Sequence, residues 1–84
     1  MSEAVKARIY ITPRRGILDP QGKAIERSLH ALGFDEVEEV RLGKYIEMQM
    51  RETDPEQATR RIDDMCRQLL ANGVIEDYRF ELAA

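Results

Sequence analysis

Residues 5–12 alternate strictly between apolar and polar side chains. Val5, Ala7, Ile9 and Ile11 point one way, and Lys6, Arg8, Tyr10 and Thr12 the other. A period of two marks a half-buried strand. Pro13 ends it, because proline has no N–H for the ladder. After a loop over residues 14–18, Asp19-Pro20 opens a helix, with aspartate as N-cap and proline at the first helical position. Ile25, Leu29 and Leu32 fall on one helical face, with Ala24 and Ser28 at its edge. Gly33 is a natural residue to stop the helix.

Residues 37–51 predict two strands around Gly43. Val40 and Leu42 share one face, and so do Ile46, Met48 and Met50. A two-residue turn at Gly43-Lys44 would set Val40 against Glu47. A three-residue loop over 42–44 pairs Val40 with Ile46, so parity favours the odd-length loop. Asp54-Pro55 repeats the capping device, and a second helix is expected to run to about residue 72 and end at Gly73. Its apolar stripe is Ala58, Ile62, Met65, Cys66, Leu69 and Leu70. Glu56 with Arg60, and Asp63 with Arg67, stand four apart on the outer face, a spacing that suits ion pairs. A last strand covers residues 75–82, with Tyr78, Phe80 and Leu82 on one side.

The order is βαββαβ, expected as a single domain over residues 1–84. With right-handed crossovers it gives an α+β ferredoxin-like sandwich: an antiparallel sheet with both helices on one face. The other face then carries Lys6, Arg8, Tyr10, Arg41, Tyr45, Glu47, Gln49, Arg79 and Glu81. Two readings of that face stand side by side. It is a solvated surface, or it is a docking surface between two copies centred on Tyr10, Tyr45 and Glu47. Tyrosine and arginine are enriched in interface cores, and mixed charges suit a self-complementary two-fold contact. RNA binding, which this topology also supports, is disfavoured. Strand 44–50 lacks the basic, glycine- and aromatic-rich pattern of RNA-recognition domains, and the net charge is −3.

Composition narrows the function further. With 84 residues the core is thin, so association would help stability. One cysteine, Cys66, excludes an intrachain disulfide. Residues 1–4 carry no secretory signal, and no stretch is apolar for the length of a membrane span. A cytoplasmic protein is expected. His30 is the sole histidine and falls away from the apolar stripe, so it reads as a surface residue. Cys66 reads as core. Asp35, Glu36, Glu38 and Glu39 read as a solvated strand entry rather than a metal site. No nucleophile, metal cluster or phosphate loop emerges, so no catalytic residue, metal or cofactor is assigned to this chain.

One stretch resists the bland reading: Pro13-Arg14-Arg15-Gly16-Ile17-Leu18-Asp19-Pro20-Gln21-Gly22. Two arginines precede a helix N-terminus, but Asp19 already occupies that positive end and would repel an anion. Ile17 and Leu18 sit side by side in a loop, where they either bind a partner or fold back to cap the core. Gly22 weakens the first helical turn and permits close approach.

That stretch continues through Lys23-Ala24-Ile25. Together with Val40-Arg41-Leu42-Gly43-Lys44-Tyr45 and Leu69-Leu70-Ala71-Asn72-Gly73-Val74-Ile75-Glu76-Asp77-Tyr78, it resembles the PurS family, the small subunit of phosphoribosylformylglycinamidine synthase. The Gly-Ile-Leu-Asp-Pro-Gln-Gly run is the most specific part. The family usually has proline where this chain has Gly73, and often lysine near Arg14 and Arg15. The resemblance implies a dimeric, non-catalytic assembly subunit. It would bridge a glutaminase subunit and a large ATP-dependent synthetase subunit in de novo purine biosynthesis, and assist ammonia transfer between them. ATP and Mg²⁺ would belong to the synthetase partner. The expected partner contacts are Arg14, Arg15, Gly16, Ile17, Leu18, Asp19, Gln21 and Gly22 on the loop, with Arg41, Gly43 and Lys44 on the hairpin. No nucleic acid or membrane is expected as a partner. The alternative is a small-molecule-binding regulatory domain of the same topology.

Overall fold

Alternation at the N-terminus builds the central strand of a sheet. A computed structural model describes residues 4–51 and 54–83; the reading of residues 1–3 as lacking a signal lies outside them. The elements are β1 (Ala4–Pro13), α1 (Pro20–Ala31), β2 (Lys44–Arg51), α2 (Pro55–Met65), a π-helical turn (Cys66–Leu70) and β3 (Glu76–Ala83). The sheet is antiparallel with order β2-β1-β3. Ile9 pairs with Ile46 on one side and Phe80 on the other.

One face of β1 is sealed. Ala7, Ile9 and Ile11 have no exposed surface, and neither have Ala58 and Ile62 of α2 or Cys66. Ile46, Met48, Met50, Tyr78, Phe80 and Leu82 pack around this centre, half-buried. Burying each isoleucine contributes about 1.5–3 kcal/mol, so a handful of side chains carries the core.

Both helices start as the Asp-Pro pairs predict. Asp19 accepts from the Gly22 amide at 3.0 Å, and Asp54 from the Glu56 amide at 3.0 Å. Gly33 follows α1 as expected, its amide donating to the His30 carbonyl. The second helix departs from its expected course. The Ala71 amide donates to the Cys66 carbonyl five residues back, at 2.9 Å. This wider turn inserts one residue and rotates the side chains beyond it. Leu69, expected in the apolar stripe, is therefore 83% exposed, and Ala71 is buried instead. Arg67 binds both Asp63, at 3.1 Å, and Asp64. The expected Glu56–Arg60 pair does not form among the described residues.

The fold is ferredoxin-like α+β, with three of the four expected strands in the sheet. Residues 37–43 form no strand, so the hairpin around Gly43 is absent. They run back along α1 instead. His30 Nε2 lies 2.6 Å from the Val37 carbonyl oxygen, and the Leu42 amide donates to Asp19 Oδ2 at 2.9 Å. The Asp19 carboxylate thus takes an N–H that strand pairing would have used. A Cβ at Gly22 would collide with the Val40 carbonyl oxygen, and one at Gly43 with that of Ile11. Glycine at these two positions lets the return segment close on α1 and on the end of β1.

Within one chain, α1 does not cover the sheet. Its only buried residue is Gly22, and none of its side chains joins the core. α1 and the return segment form an arm beyond the end of the sheet. The radius of gyration is 16.6 Å, where a compact chain of this length has about 12 Å. The longest dimension is 52 Å. A ten-residue strand spans about 33 Å and a twelve-residue helix about 18 Å.

Candidate functional site

The loop between β1 and α1 is held from both sides. Arg14 Nη2 donates to the Gly73 carbonyl at 2.5 Å, and Nε lies 3.4 Å from the Glu76 carbonyl oxygen and 3.3 Å from Asp77 Oδ1. The Arg14 amide donates to the Ile75 carbonyl at 2.8 Å. On the other side, Arg41 Nη1 donates to the Pro13 carbonyl at 3.0 Å. Asp19 holds the Gly22 and Leu42 amides with its two oxygens. These amides, Gly22 first, hold its carboxyl below the usual aspartate range.

These ties shape an open cleft of about 360 Å³. Residues 14–19 form one wall, Lys23 and Glu26 of α1 the next, and residues 38–41 the third. Basic and acidic side chains line it together. Arg15 reaches Glu39 across it at 3.7 Å. Leu18 is 81% exposed and Ile17 also faces solvent, so neither caps the core.

The expected contact residues now separate by role. Arg15, Gly16, Ile17, Leu18 and Gln21 are exposed. Arg14, Asp19 and Arg41 are ties within the chain. Gly22 is buried, and the backbone that approaches it is the chain's own Val40. Gly43 is pressed on β1. Lys44 turns to the Leu70 carbonyl at 3.4 Å and Glu76 at 3.9 Å. Sequence reasoning missed Lys23, Glu26, Glu38 and Glu39 as lining residues. They meet only because residues 37–43 double back, and the alternation there signals a strand instead.

The outer sheet face assembles as the parity predicts. Arg79, Tyr10 and Tyr45 form one row across the three strands, and Glu81, Arg8 and Glu47 the next. Arg79 Cζ stands 4.0 Å from the Tyr10 ring centroid, within cation–π range. Tyr10 donates to Glu81 at 2.8 Å and Tyr45 to Glu47 at 2.8 Å. Each bond pushes its phenol above the usual tyrosine range. The bond from Tyr45, then Lys6 at 3.8 Å, holds Glu47 below the usual carboxylate range. Arg41, expected on this face, lies outside the sheet. Elsewhere, burial and then Asp63 push the Cys66 thiol up. Among the described residues no group of three or more His, Cys, Asp or Glu side chains is placed to hold a metal, and no helix is long and apolar enough to cross a membrane.

The family model described as PurS: Phosphoribosylformylglycinamidine (FGAM) synthase matches residues 6–84. The chain belongs to the PurS family. It is similar to the phosphoribosylformylglycinamidine synthase subunit PurS of Synechocystis sp., 49% identical over 100% of this chain and 84% of that one. The PurS subunit of Bacillus subtilis is 42% identical over 92% of this chain and 90% of its own length. Among solved structures, a purS subunit of phosphoribosylformylglycinamidine synthase from Thermotoga maritima superposes with a TM-score of 0.88 at 30% identity, covering 99% of this chain and 95% of that one. A chain in a structure of PurLQS from the same organism gives a TM-score of 0.87 at 31% identity over 96% and 99% of the two chains. For this PurS-family chain, the elongated single-chain shape is therefore shared with crystallised relatives.

Proposed function

We propose that this chain is the non-catalytic assembly subunit of a phosphoribosylformylglycinamidine synthase complex in purine biosynthesis. It acts as a single domain, residues 1–84, in the cytoplasm and as a homodimer. It bridges the glutaminase subunit and the ATP-dependent synthetase subunit and assists the passage of ammonia between them. ATP and Mg²⁺ are used by the synthetase subunit. One observation carries the reading: the loop that bears the family's most specific run is braced from behind, yet it presents an arginine and two aliphatic side chains to solvent. A loop stiffened in this way loses little freedom on docking. Membership in the PurS family and the likeness to a chain of PurLQS support the same conclusion.

Arg15, Gly16, Ile17, Leu18 and Gln21 make the direct contacts to partner subunits. Leu18 fills a partner pocket and Arg15 exchanges Glu39 for a partner carboxylate. Arg14, Asp19, Gly22, Arg41, Gly43 and Lys44 set the shape of that surface. Tyr10, Tyr45 and Glu47 form a contact face between copies.

The test is reconstitution. Glutamine-dependent synthesis by the two larger subunits should require this chain, and the three should co-elute. Arg15→Glu should weaken co-elution while leaving the circular dichroism unchanged. Full glutamine-dependent activity without the chain would overturn the proposal. A saturable thermal shift of the isolated chain with amino acids or nucleotides would favour the regulatory-domain alternative.

A further inference from the structure

Residues 72–75 form a reverse turn just ahead of β3. The Ile75 amide donates to the Asn72 carbonyl at 3.1 Å, and the Glu76 amide donates to the same oxygen at 2.7 Å. Asn72 is the sole asparagine of the chain, and a glycine follows it. Both residues are exposed, and a Cβ on Gly73 would meet nothing. An asparagine side chain can cyclise onto the nitrogen of the next residue, and glycine there offers no Cβ to hinder the approach. The surrounding hydrogen bonds decide whether the fold blocks this reaction or permits it.

Here they permit it. The Gly73 N–H has no hydrogen-bond partner among the described residues. Its peptide group is polarised at the other end, because the Asn72 carbonyl oxygen takes two N–H bonds. That oxygen carries the charge when the Gly73 nitrogen gives up its proton, and hydrogen bonds to a charged form favour it. The Val74 amide donates to Asn72 Oδ1 at 3.0 Å. This bond folds the side chain back along the turn. It also stands where negative charge develops when Cγ is attacked. One carboxylate opposes these donors: Glu76 Oε1 accepts from the Asn72 amide at 2.8 Å, with Lys44 3.9 Å from its other oxygen. The chain's other amide-glycine pair, Gln21-Gly22, is closed to the reaction. Gly22 is buried in the first turn of α1, and its N–H is held by Asp19.

We infer that Asn72-Gly73 is a self-modifying site, where deamidation of Asn72 loosens the brace on the β1–α1 loop. The Gly73 nitrogen bonds to Asn72 Cγ, the Cγ–Nδ2 bond breaks, and Nδ2 leaves as ammonia with the Gly73 proton. Water then opens the succinimide ring. Opening at Cγ gives aspartate. Opening at the main-chain carbonyl gives isoaspartate, whose backbone runs through the side chain and is one carbon longer. The extra carbon shifts Gly73, whose carbonyl Arg14 grips at 2.5 Å, relative to β3. The new carboxylate stands beside Glu76. The effect on docking rests on the assembly role proposed above, whereas the modification does not.

Incubation of the full chain in mildly alkaline buffer tests this, read by the mass of the tryptic peptide 68–79 and by isoaspartyl methyltransferase labelling. The folded chain should exchange amide for acid at Asn72 as readily as the chain unfolded in urea, giving both aspartate and isoaspartate. Hydrogen exchange in the aged chain should quicken at the Arg14 and Ile75 amides, whose bonds meet at the turn. Gly73→Pro should abolish the mass change and keep the turn, because proline has no N–H to give up and suits the second position of a turn. The aged parent should co-elute less with the two larger subunits than Gly73→Pro treated alongside it. A folded chain that keeps Asn72 while the unfolded chain loses it overturns the inference. A modified chain whose Arg14 amide stays fully protected overturns the link to the loop. Modification and faster exchange with unaltered co-elution would uphold the site and count against the loop as the docking surface.

Discussion

Tyr45 lies against Tyr10 across β1 and β2, with ring centroids 5.1 Å apart, yet the two hydroxyls bond different carboxylates, Glu47 and Glu81. Tyr78, the third tyrosine of the chain, also donates to a carboxylate, Asp63, at 2.6 Å. Each bond stabilises the neutral phenol next to a negative charge. An absorbance titration should therefore show no tyrosine ionising at the ordinary value of about 10. Glu47→Gln should bring Tyr45 back toward that value and leave Tyr10 high, because Glu81 remains. A Tyr45 that stays high in the variant would show that Glu47 is not the cause.

The sealed centre is small, so each of its members matters. Ile62 has no exposed surface and meets the β1 isoleucines from α2. Ile62→Ala should cost about 2–5 kcal/mol, the usual range for an aliphatic truncation that leaves a cavity. Urea denaturation would measure it. A change below about 0.5 kcal/mol, typical of surface sites, would contradict the packing described.

Asp19 couples two segments through one side chain, and its depressed pKa sets a direction. A carboxyl held below its unfolded value contributes stability that is complete above that value and fades as pH falls through the folded one. Hydrogen exchange at the Leu42 and Gly22 amides should thus stay protected through mildly acidic pH and speed up only below the ordinary aspartate range. Asp19→Ala should release both amides at every pH. If Leu42 stays protected in that variant, the return segment is held by something else.

Tyr78 gives the opposite slope at the alkaline end. Its bond to Asp63 raises the phenol first, with burial adding to it. A raised acid contributes stability that is whole below its unfolded value and is lost as pH climbs through the folded one. Tyr78→Phe should lose about 0.5–1.5 kcal/mol near neutrality, and the gap to the parent should narrow as pH rises past the ordinary tyrosine value. A gap that does not change with pH would remove the bond from the account.

Much of this molecule is legible from period and punctuation. The parity of residues 5–12 places Tyr10 outward and Ile9 inward, and the Asp-Pro pairs mark both helix starts. Leu69 defeats the helical period because a single wide turn depends on hydrogen-bond geometry that no residue pattern announces. Val40 and Leu42 defeat the strand reading for another reason. Alternation specifies an extended backbone but not its neighbour, and here Asp19 competes for the amide. The cleft is half visible in the sequence: the loop stands out through its misplaced aliphatics, while the acidic wall depends on a reversal of the chain. Arg14 reads as a contact because charge in a loop suggests one, and only the carbonyls at Gly73 and Glu76 show that it faces inward.

That inward arginine has a mechanical consequence. It bolts the β1–α1 loop to the turn that launches β3, two stretches about sixty positions apart along the chain. Whatever seizes the loop therefore also grips the root of the C-terminal strand, so a pull at Leu18 would be felt at Asp77 without passing through the core.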